Sequence, residues 1–381
     1  MLPRALIGLF LASLYWVGAA EERLRLPAQL NGQSARIFLD TGAAEFYLFR
    51  PAAERFGFEL PDGPSEPWQL YWAGEKCTVT LAGIKARVRP VIMEPPPFVS
   101  VQETDGFVGW KLFRDKVIQF DAANGAVSAL DSTPEIAKHW TRLKVRKKPP
   151  SSWRKWGILA LETPKPAAEI IIIDTGQSLG VGLPKAKWAT WKSSHPNQPI
   201  TLAAAAMPSV GIFAREQSWA KELQLGPLQI TDTLVGEADP WSHSMVGEKH
   251  GATLGLAALA RLDMIVDGKR GIAYIRPKQN RAALPNHNRL GAVFLPSADG
   301  KDPVAVVHAR TPASEAGIRD GDILIGVNGT DLTDWTEKLP TLLGGRVGRF
   351  WEEPAGTRLR LRLKRGDQIF DTVVTLRDLL L

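Results

Sequence analysis

The chain has 381 residues, which is enough for two or three domains. Hydrophobic residues make up 44% of it and charged residues 23%, which excludes a disordered or fibrous protein. The 34 glycines and 28 prolines lie between short runs rich in Val, Ile and Leu. This distribution excludes a helical bundle and predicts a mainly β protein with many turns.

The N-terminus has the pattern of a secretory signal peptide. A basic start with Arg4 is followed by an apolar stretch from Ala5 to Val17 and by small residues up to Ala20. Such a stretch is too short to cross a bilayer comfortably, but it fits the apolar region of a signal peptide. We therefore expect residues 1–20 to be a signal peptide and the protein to be exported, either periplasmic or secreted. The alternative is that the segment stays uncleaved and anchors the protein in a membrane.

The single cysteine, Cys77, excludes an internal disulfide and a cysteine-based metal site. It lies in a strand-like run from Lys76 to Thr80 and is interpreted as a small buried hydrophobic residue. We predict neither a metal site nor a cofactor.

The net charge of +7 comes largely from one block. Seven basic residues and no acidic residue lie between positions 141 and 156. A nucleic acid or an anionic membrane could bind such a block. The sequence Pro149-Pro150-Ser151-Ser152 in its middle instead favours a solvated linker, residues 141–156, between two lobes. We therefore expect no nucleic-acid partner.

Two short stretches share one pattern, an apolar run that ends in Asp-Thr-Gly. The first is Ile37 to Gly42, with Asp40, and the second is Ile171 to Gly176, with Asp174. Each run predicts a buried strand, and each Asp-Thr-Gly predicts a tight turn that leaves a carboxyl group at the end of the strand. If the two turns face each other, Asp40 and Asp174 form a carboxyl pair.

Such a pair can hydrolyse a peptide bond. Two like charges a few ångströms apart cannot both ionise, so the pair keeps one proton. The charged Asp then deprotonates a water molecule while the neutral Asp protonates the carbonyl under attack. With these turns the sequence resembles the aspartic proteases, in which Asp-Thr-Gly occurs once per subunit in retroviral-type enzymes and twice per chain in pepsin-like enzymes. The resemblance covers about residues 23–280.

A second pattern is also repeated. Residues 108–125 and 254–271 both start with a hydrophobic residue and Gly, and a second Gly follows sixteen residues after the first. The repeat offset is 146, against 134 for the Asp-Thr-Gly turns, so the second copy carries a loop that is twelve residues longer. We expect two similar β lobes, residues 23–140 and 157–280, that form a pseudo-dimer with a central cleft.

The resemblance also suggests roles for neighbouring residues. Thr41 and Thr175 would lock the two turns together, while Gly42 and Gly176 would permit their close approach. In this family a hydrophobic-hydrophobic-Gly element supports each Asp turn, and both Phe107-Val108-Gly109 and Thr253-Leu254-Gly255 match it, the second less well.

The family also closes a hairpin flap over its substrate. The segment from Gln69 to Cys77, with a turn at Ala73-Gly74, is the candidate flap, and Tyr71 and Trp72 are its aromatic residues. Ala43 and Gln177 stand where pepsin-like enzymes commonly have Ser or Thr.

A serine hydrolase is an alternative, because residues 176–180 read Gly-Gln-Ser-Leu-Gly after a predicted strand. That nucleophile elbow requires a helix directly afterwards. Gly180, Gly182 and Pro184 interrupt the residues that would form it.

The pattern changes from residue 287 onward. Residues 314–329, with the sequence SEAGIRDGDILIGVNG, resemble PDZ domains, especially those attached to exported bacterial proteases. We expect a PDZ-like β sandwich over residues 287–381. PDZ domains hold an extended peptide on a sheet edge and bind its terminal carboxylate through backbone N–H groups. The predicted peptide-binding loop departs from the usual Gly-Leu-Gly-Phe and consists of Leu290, Gly291, Ala292, Val293 and Phe294. The domain can equally be an intramolecular brace.

Taken together, the sequence predicts a monomeric aspartic endopeptidase that acts on peptides or unfolded proteins and carries a PDZ domain for peptide binding or regulation. The alternative from another class is an inactive pseudoprotease that serves as a peptide-binding adaptor.

Overall fold

A computed structural model of the chain describes residues 24–60, 70–95, 104–146, 157–207, 211–239, 242, 246–278, 287–298, 300–332 and 350–380. The predicted signal peptide and residues 147–156 of the predicted linker lie outside these ranges. The described part is mainly β with few helices, as the sequence predicts.

The described strands run from residue 25 to residue 375. They are β1 (Arg25–Leu30), β2 (Gln33–Asp40), β3 (Phe46–Phe49), β4 (Leu70–Trp72), β5 (Cys77–Leu81), β6 (Ile84–Val88), β7 (Val91–Met93), β8 (Gly106–Gly109), β9 (Val117–Asp121), β10 (Ala126–Leu130), β11 (Thr141–Val145), β12 (Leu159–Glu162), β13 (Ile170–Ile173), β14 (Val181–Leu183), β15 (Ile200–Met207), β16 (Gly211–Leu225), β17 (Leu228–Glu237), β18 (His250–Leu254), β19 (Leu262–Asp267), β20 (Ile272–Pro277), β21 (Ala292–Pro296), β22 (Pro303–Val307), β23 (Ile323–Val327), β24 (Thr330–Asp331), β25 (Arg358–Arg365) and β26 (Gln368–Thr375). The α-helices are α1 (Arg50–Arg55), α2 (Lys185–Ser194), α3 (Leu256–Leu259) and α4 (Pro312–Glu315).

The first sheet has eight strands in the order β4-β7-β3-β8-β2-β1-β5-β6. In a flat sheet, six strand spacings would separate β4 from β5 by about 29 Å. The chain from Trp72 to Cys77 spans at most about 18 Å. The sheet therefore curls, which brings its two ends toward each other around a buried core.

The second sheet has twelve strands and crosses the lobe boundaries predicted from the sequence. Its order is β10-β9-β19-β20-β11-β12-β13-β18-β14-β17-β16-β15. Strands β9 and β10, from the predicted first lobe, lie at one end of it. Strand β9 pairs with β19 from the predicted second lobe, with Phe120 opposite Met264. These two strands belong to the two copies of the repeated Gly-to-Gly segment, so the copies are joined edge to edge.

The assignment of residues 141–145 to a linker is wrong. These residues form β11, which pairs with both β12 and β20. Leu143 and Val145 are buried, while Arg142 and Lys144 are exposed. The strand therefore alternates between core and solvent, and its basic residues occupy only the solvent side.

Both Asp-Thr-Gly turns follow strands with the same pairing. Strand β2 runs parallel to β8, with Asp40 opposite Gly109, and β13 runs parallel to β18, with Ile173 opposite Leu254. One apolar core contains residues from the neighbourhood of both turns, among them Leu39 and Val108 near the first and Ile173 and Leu254 near the second.

In the described ranges no helix is long and apolar enough to span a membrane.

The C-terminal sheet contains β21 to β26 and has its own core. Its strand order is β21-β22-β23-β25-β26, with β24 paired to β23. Helix α4 begins with a capping box, in which the Thr311 side chain and the Ser314 side chain each accept the other's backbone N–H. Asp322 is buried beside Arg365, and hydrogen bonds from this guanidinium fix the turn that precedes β23.

Candidate active site

Each conspicuous Asp lies at the end of a buried strand. Asp40 is the last residue of β2 and is fully buried, as are the three residues before it. Asp174 directly follows the four buried isoleucines of β13 and is also buried. A strand that is covered on both faces is apolar along its whole length. The local sequence therefore carries both carboxyl groups into the interior.

Reciprocal hydrogen bonds between two threonines hold the turns against each other. The Thr41 N–H donates to Thr175 Oγ1 at 3.0 Å, and the Thr175 N–H donates to Thr41 Oγ1 at 3.1 Å. The hydroxyl of Thr41 donates to the carbonyl of Ile173 at 2.6 Å, and that of Thr175 donates to the carbonyl of Leu39 at 2.8 Å. Both threonines are completely buried. Four bonds that are shielded from water thus connect residues 132 to 136 positions apart in the chain.

Backbone N–H groups of each turn orient its carboxyl group. Asp40 Oδ1 accepts from Gly42 at 3.0 Å and from Ala43 at 3.1 Å, and Asp174 Oδ1 accepts from Gly176 at 3.0 Å. Donors of this kind stabilise a carboxylate. The Asp40 carboxyl also lies directly against the second turn, because a Cβ atom on Gly176 would be 2.6 Å from Asp40 Cγ. The close approach therefore requires glycine at position 176.

Two further glycines, Gly109 and Gly255, lie against the backbone that follows each turn. A Cβ atom on Gly109 would be 2.6 Å from the carbonyl oxygen of Ala43, and one on Gly255 would be 2.2 Å from that of Leu179. The residues after them, Trp110 and Leu256, donate backbone hydrogen bonds to the residues that directly follow the Asp-Thr-Gly turns. The hydrophobic-hydrophobic-Gly elements thus lie beside the turns.

An aromatic group surrounds the first turn. The first-half cluster consists of buried residues on four strands and the first turn, namely Phe38, Ala43, Tyr47, Phe49, Val91, Met93 and Phe107. The rings of Tyr47 and Phe107 stack with their centroids 4.4 Å apart. Burial raises the pKa of Tyr47, and the negative charges of Glu45 and Asp40 raise it further. The phenol therefore stays neutral beside Asp40.

Chemically, this arrangement offers two buried carboxyl groups on turns that are fixed to each other. Oriented carboxyl groups can act as a general base and a general acid. The catalytic roles of Asp40 and Asp174 remain a prediction, as do the supporting roles of Thr41, Gly42, Thr175 and Gly176.

The predicted flap hairpin between Gln69 and Cys77 is wrong. Strand β4 pairs with β7, and β5 pairs with β1 and β6, so β4 and β5 do not pair with each other. Tyr71 is half-buried under the guanidinium of Arg50, whose Cζ lies 5.4 Å from the ring centroid, and Trp72 is 54% exposed. The aromatic residues next to Gly74 belong to an edge strand of the first sheet.

A different hairpin reaches the Asp40 side of the site. Strands β15 and β16, here called the long hairpin, pair antiparallel from Ile200–Ser218 to Met207–Gly211. Ile212 packs against the first-half cluster, which contains Ala43 of the first turn. Sequence reasoning missed this hairpin, although the second copy of the repeat is twelve residues longer. That excess was the signal that could have located it.

The serine alternative lacks its helix. After Ser178 the chain forms strand β14 from Val181, and α2 begins only at Lys185. The sharp strand-to-helix turn of a nucleophile elbow is therefore absent at this position.

Across the described residues, no group of three or more His, Cys, Asp or Glu side chains is arranged to hold a metal ion.

The predicted peptide-binding loop is buried and internally bonded. Leu290, Ala292, Val293 and Phe294 are all at most 5% exposed, and Gly291 has a φ angle of 75°. The side-chain oxygen of Asn288 accepts the N–H groups of both Leu290 and Gly291 at 2.9 Å. Asn288 was not singled out from the sequence, because no motif marks it.

Comparison with known proteins finds one family. Residues 304–339 match the PDZ domain family. No curated protein matches the chain. An aminopeptidase N family protein from Idiomarina loihiensis is 19% identical over 26% of this chain and 15% of its own, with a TM-score of 0.19. The retroviral protease-like domain of Ddi1 from Leishmania major is 20% identical over 23% of this chain and 73% of its own, with a TM-score of 0.17. The C-terminal part of the chain therefore contains a PDZ domain.

Proposed function

We propose that this protein is an aspartic endopeptidase, in which Asp40 and Asp174 activate a water molecule against a peptide bond of an unfolded protein or peptide. The two turn-bearing regions would act as the two lobes of a pseudo-dimer. The PDZ domain would bind a peptide or regulate the protease.

The reciprocal Thr41–Thr175 hydrogen bonds carry this proposal. Two ordinary strand-ending turns have no reason to exchange four buried hydrogen bonds across 134 residues. A fixed mutual orientation is what a shared-proton mechanism requires, because misplacing reacting groups by about 1 Å can lower a rate 100-fold. The contact of the Asp40 carboxyl with Gly176 adds a second constraint on the same geometry.

In the proposed reaction, the ionised Asp removes a proton from the water, and the resulting hydroxide oxygen bonds to the peptide carbonyl carbon. The neutral Asp gives its proton to the carbonyl oxygen, which yields a tetrahedral diol. Breakdown of the diol breaks the C–N bond: the amine nitrogen takes the proton that came from the water, while a diol hydroxyl returns its proton to the other Asp as the carbonyl re-forms. The pair ends with one proton, as it began.

The test compares Asp40→Asn and Asp174→Asn with the wild type on a peptide library, with mass spectrometry as the readout. We expect each variant to lose cleavage by about 1,000-fold or more while its circular dichroism spectrum stays unchanged. Asp115→Asn is the matched control, because Asp115 is 77% exposed on its side chain and distant from the turns in sequence. Undiminished cleavage by either turn variant would contradict the shared-proton mechanism.

The pseudoprotease adaptor gives a different result in the same experiment. An adaptor would bind library peptides but cleave none of them between pH 3 and pH 8. Wild-type cleavage at any pH in that range, lost in both Asp variants, excludes it.

A further inference from the structure

The PDZ domain packs one face of its first two strands onto the long hairpin. Val293 on β21 is completely buried against Leu202 and Ala204 on β15. Leu295, Val306 and, from β16, Ala214 complete this contact. Residues 202, 204 and 214 are all even-numbered and therefore lie on the same face of the hairpin. Two sheets thus meet face to face.

The C-terminal end of the chain holds the hairpin at a second place. Leu380 is 1% exposed and packs against Trp219 on β16 and Leu234 on β17. Nearer the PDZ face, His308 Nε2 lies 3.7 Å from Glu216 Oε1. The same Glu216 accepts from Trp188 Nε1 at 2.9 Å. The PDZ domain therefore contacts the hairpin along both strands.

A single asparagine connects the predicted peptide-binding loop to the hairpin. The backbone carbonyl of Asn288 accepts the hydroxyl of Thr201 on β15 at 2.8 Å. Its side-chain oxygen accepts the N–H groups of Leu290 and Gly291, and its amide donates to the carbonyl of Ala292 at 2.8 Å. Asn288 is 3% exposed and Thr201 is fully buried. The two N–H groups that a peptide carboxylate would use are thus already bonded to a residue that holds the hairpin.

The far part of the hairpin packs against the first-half cluster. Ile212 packs on both the PDZ core and the first-half cluster next to Asp40. One rigid antiparallel ladder, with its register unbroken from Ile200 to Met207, joins Thr201 to this contact. A change at the Asn288 end can therefore reach the Asp40 side through paired backbone.

We propose that the PDZ domain is a peptide-operated control on the long hairpin. An extended peptide with a free C-terminal carboxylate competes with the Asn288 side chain for the Leu290 and Gly291 N–H groups. When the peptide binds, residue 288 moves, the Thr201 bond is lost and the hairpin is released from its packing on the PDZ domain and the first-half cluster. Its effect on catalysis rests on the proposed protease function, whereas the docking itself does not.

Linkage makes the coupling reciprocal. A ligand that holds the hairpin down at the Asp turns must weaken peptide binding at the PDZ domain by the same factor. Removal of the Asn288 side chain must do two things at once: it frees the Leu290 and Gly291 N–H groups for the peptide, and it removes the bonds that hold the Asn288 carbonyl in place for Thr201.

Hydrogen exchange of the backbone amides of residues 200–225, followed by mass spectrometry, tests this proposal. In Asn288→Ala we expect exchange there to be roughly fivefold faster than in the wild type, because residue 288 loses the side-chain bonds that hold its backbone carbonyl in place for Thr201. Asn328→Ala is the matched control, since the Asn328 side chain also accepts a backbone N–H, that of Arg360, within the PDZ sheet. Thr201→Val removes only the link to the hairpin and should accelerate exchange without altering the PDZ domain.

The peptide arm uses decapeptides randomised at their last four positions, with free or amidated C-termini. It is run on the Asp174→Asn variant so that the probe stays intact. The free-acid pool should accelerate exchange of residues 200–225, and the amidated pool should not. Wild-type exchange rates in both Asn288→Ala and Thr201→Val, with a folded PDZ domain, would overturn the proposal. An exchange response in a protein that cleaves no peptide would instead leave the coupling intact and remove the proposed function.

Discussion

The first region (residues 24–109) and the second region (residues 157–278) hold their Asp-Thr-Gly turns with the same hydrogen bonds but differ in the length of their hairpins. Around the turns the hydrogen bonds are reciprocal, with each threonine giving and accepting the same bonds. In the first region, β5 and β6 form a short hairpin at the far edge of their sheet. In the second region, β15 and β16 form a hairpin in which eight residues of each strand pair.

The two regions are therefore symmetric in the hydrogen bonds where the turns meet, and asymmetric in their hairpins. A reciprocal contact needs the same residues on both sides, so neither turn can change alone. The hairpins have no such constraint. The long hairpin packs against the first-half cluster through Ile212, and it also supplies the surface on which the PDZ domain packs.

Gly176→Ala is expected to have the largest effect on peptide cleavage, because it disturbs the contact between the two turns. The new Cβ atom would lie 2.6 Å from Asp40 Cγ, so the carboxyl must shift by about 1 Å. We expect cleavage of the peptide library to fall about 100-fold. Gly74→Ala is the control, since a Cβ atom there meets nothing within 4 Å and the predicted flap that contains it is not a hairpin. Equal activities of the two variants would show that the contact of Asp40 with the second turn is unimportant.

Two threonine variants sharpen the comparison through stability. Thr41→Val and Thr175→Val each remove two buried hydrogen bonds and leave an N–H and a carbonyl unsatisfied, which should lower the free energy of unfolding by about 3 kcal/mol. Because the contact is reciprocal, the two losses should agree within about 0.5 kcal/mol. Urea unfolding measures both.

The double variant and a surface control complete this test. Since the two side chains hold the same pair of turns, the double variant should lose less than the sum of the single losses by about 1 kcal/mol. Thr190→Val on α2, whose exposed hydroxyl bonds only to its own helix at Ala186, should change stability by less than about 0.5 kcal/mol. Strongly unequal single variants would mean that the contact is not symmetric.

The sequence predicts the turns because their determinants are local. An apolar run, an Asp-Thr-Gly and a following hydrophobic-hydrophobic-Gly element each occupy a few consecutive residues, and their parallel pairing follows from that order. The same holds for the PDZ stretch from Ser314 to Gly329, whose turn and strand residues match a family.

Strand partners further apart could not be predicted in this way. Tyr71, Trp72 and Gly74 have the local pattern of a hairpin, but the partner of β4 is β7, about twenty residues away. In β11 two basic residues alternate with two apolar ones, so charge concealed the alternation of Leu143 and Val145. The Asn288 bridge joins the loop of residues 288–292 to Thr201, 87 residues away, and no single segment encodes it.

The smallest effect is expected from Arg215, which has no counterpart in the first region. Arg215 lies on the long hairpin, is 8% exposed, and its Nε and Nη1 atoms have no hydrogen-bond partner among the residues described. Burial lowers the pKa of Arg215 to about 10, and only the charge of Glu237 opposes this shift. The hairpin therefore carries a buried positive charge that folding disfavours.

Arg215→Met should raise the free energy of unfolding by about 2 kcal/mol, because it replaces a buried charge by an apolar side chain of similar length. The penalty in the wild type is fully present below pH 10, where both the folded and the unfolded chain hold the proton. It falls as the pH rises above 10, since there the unfolded chain alone keeps the proton and must release it on folding, which a higher pH favours. The gain in the free energy of unfolding should thus be constant from pH 6 to 9 in urea unfolding.

Arg276→Met, at a half-exposed residue paired with Asp263, should instead change stability by less than about 1 kcal/mol. A loss of stability in Arg215→Met would mean that the guanidinium has an anionic partner in the folded protein. The hairpin of the second region would then differ from that of the first in a buried ion pair as well as in length.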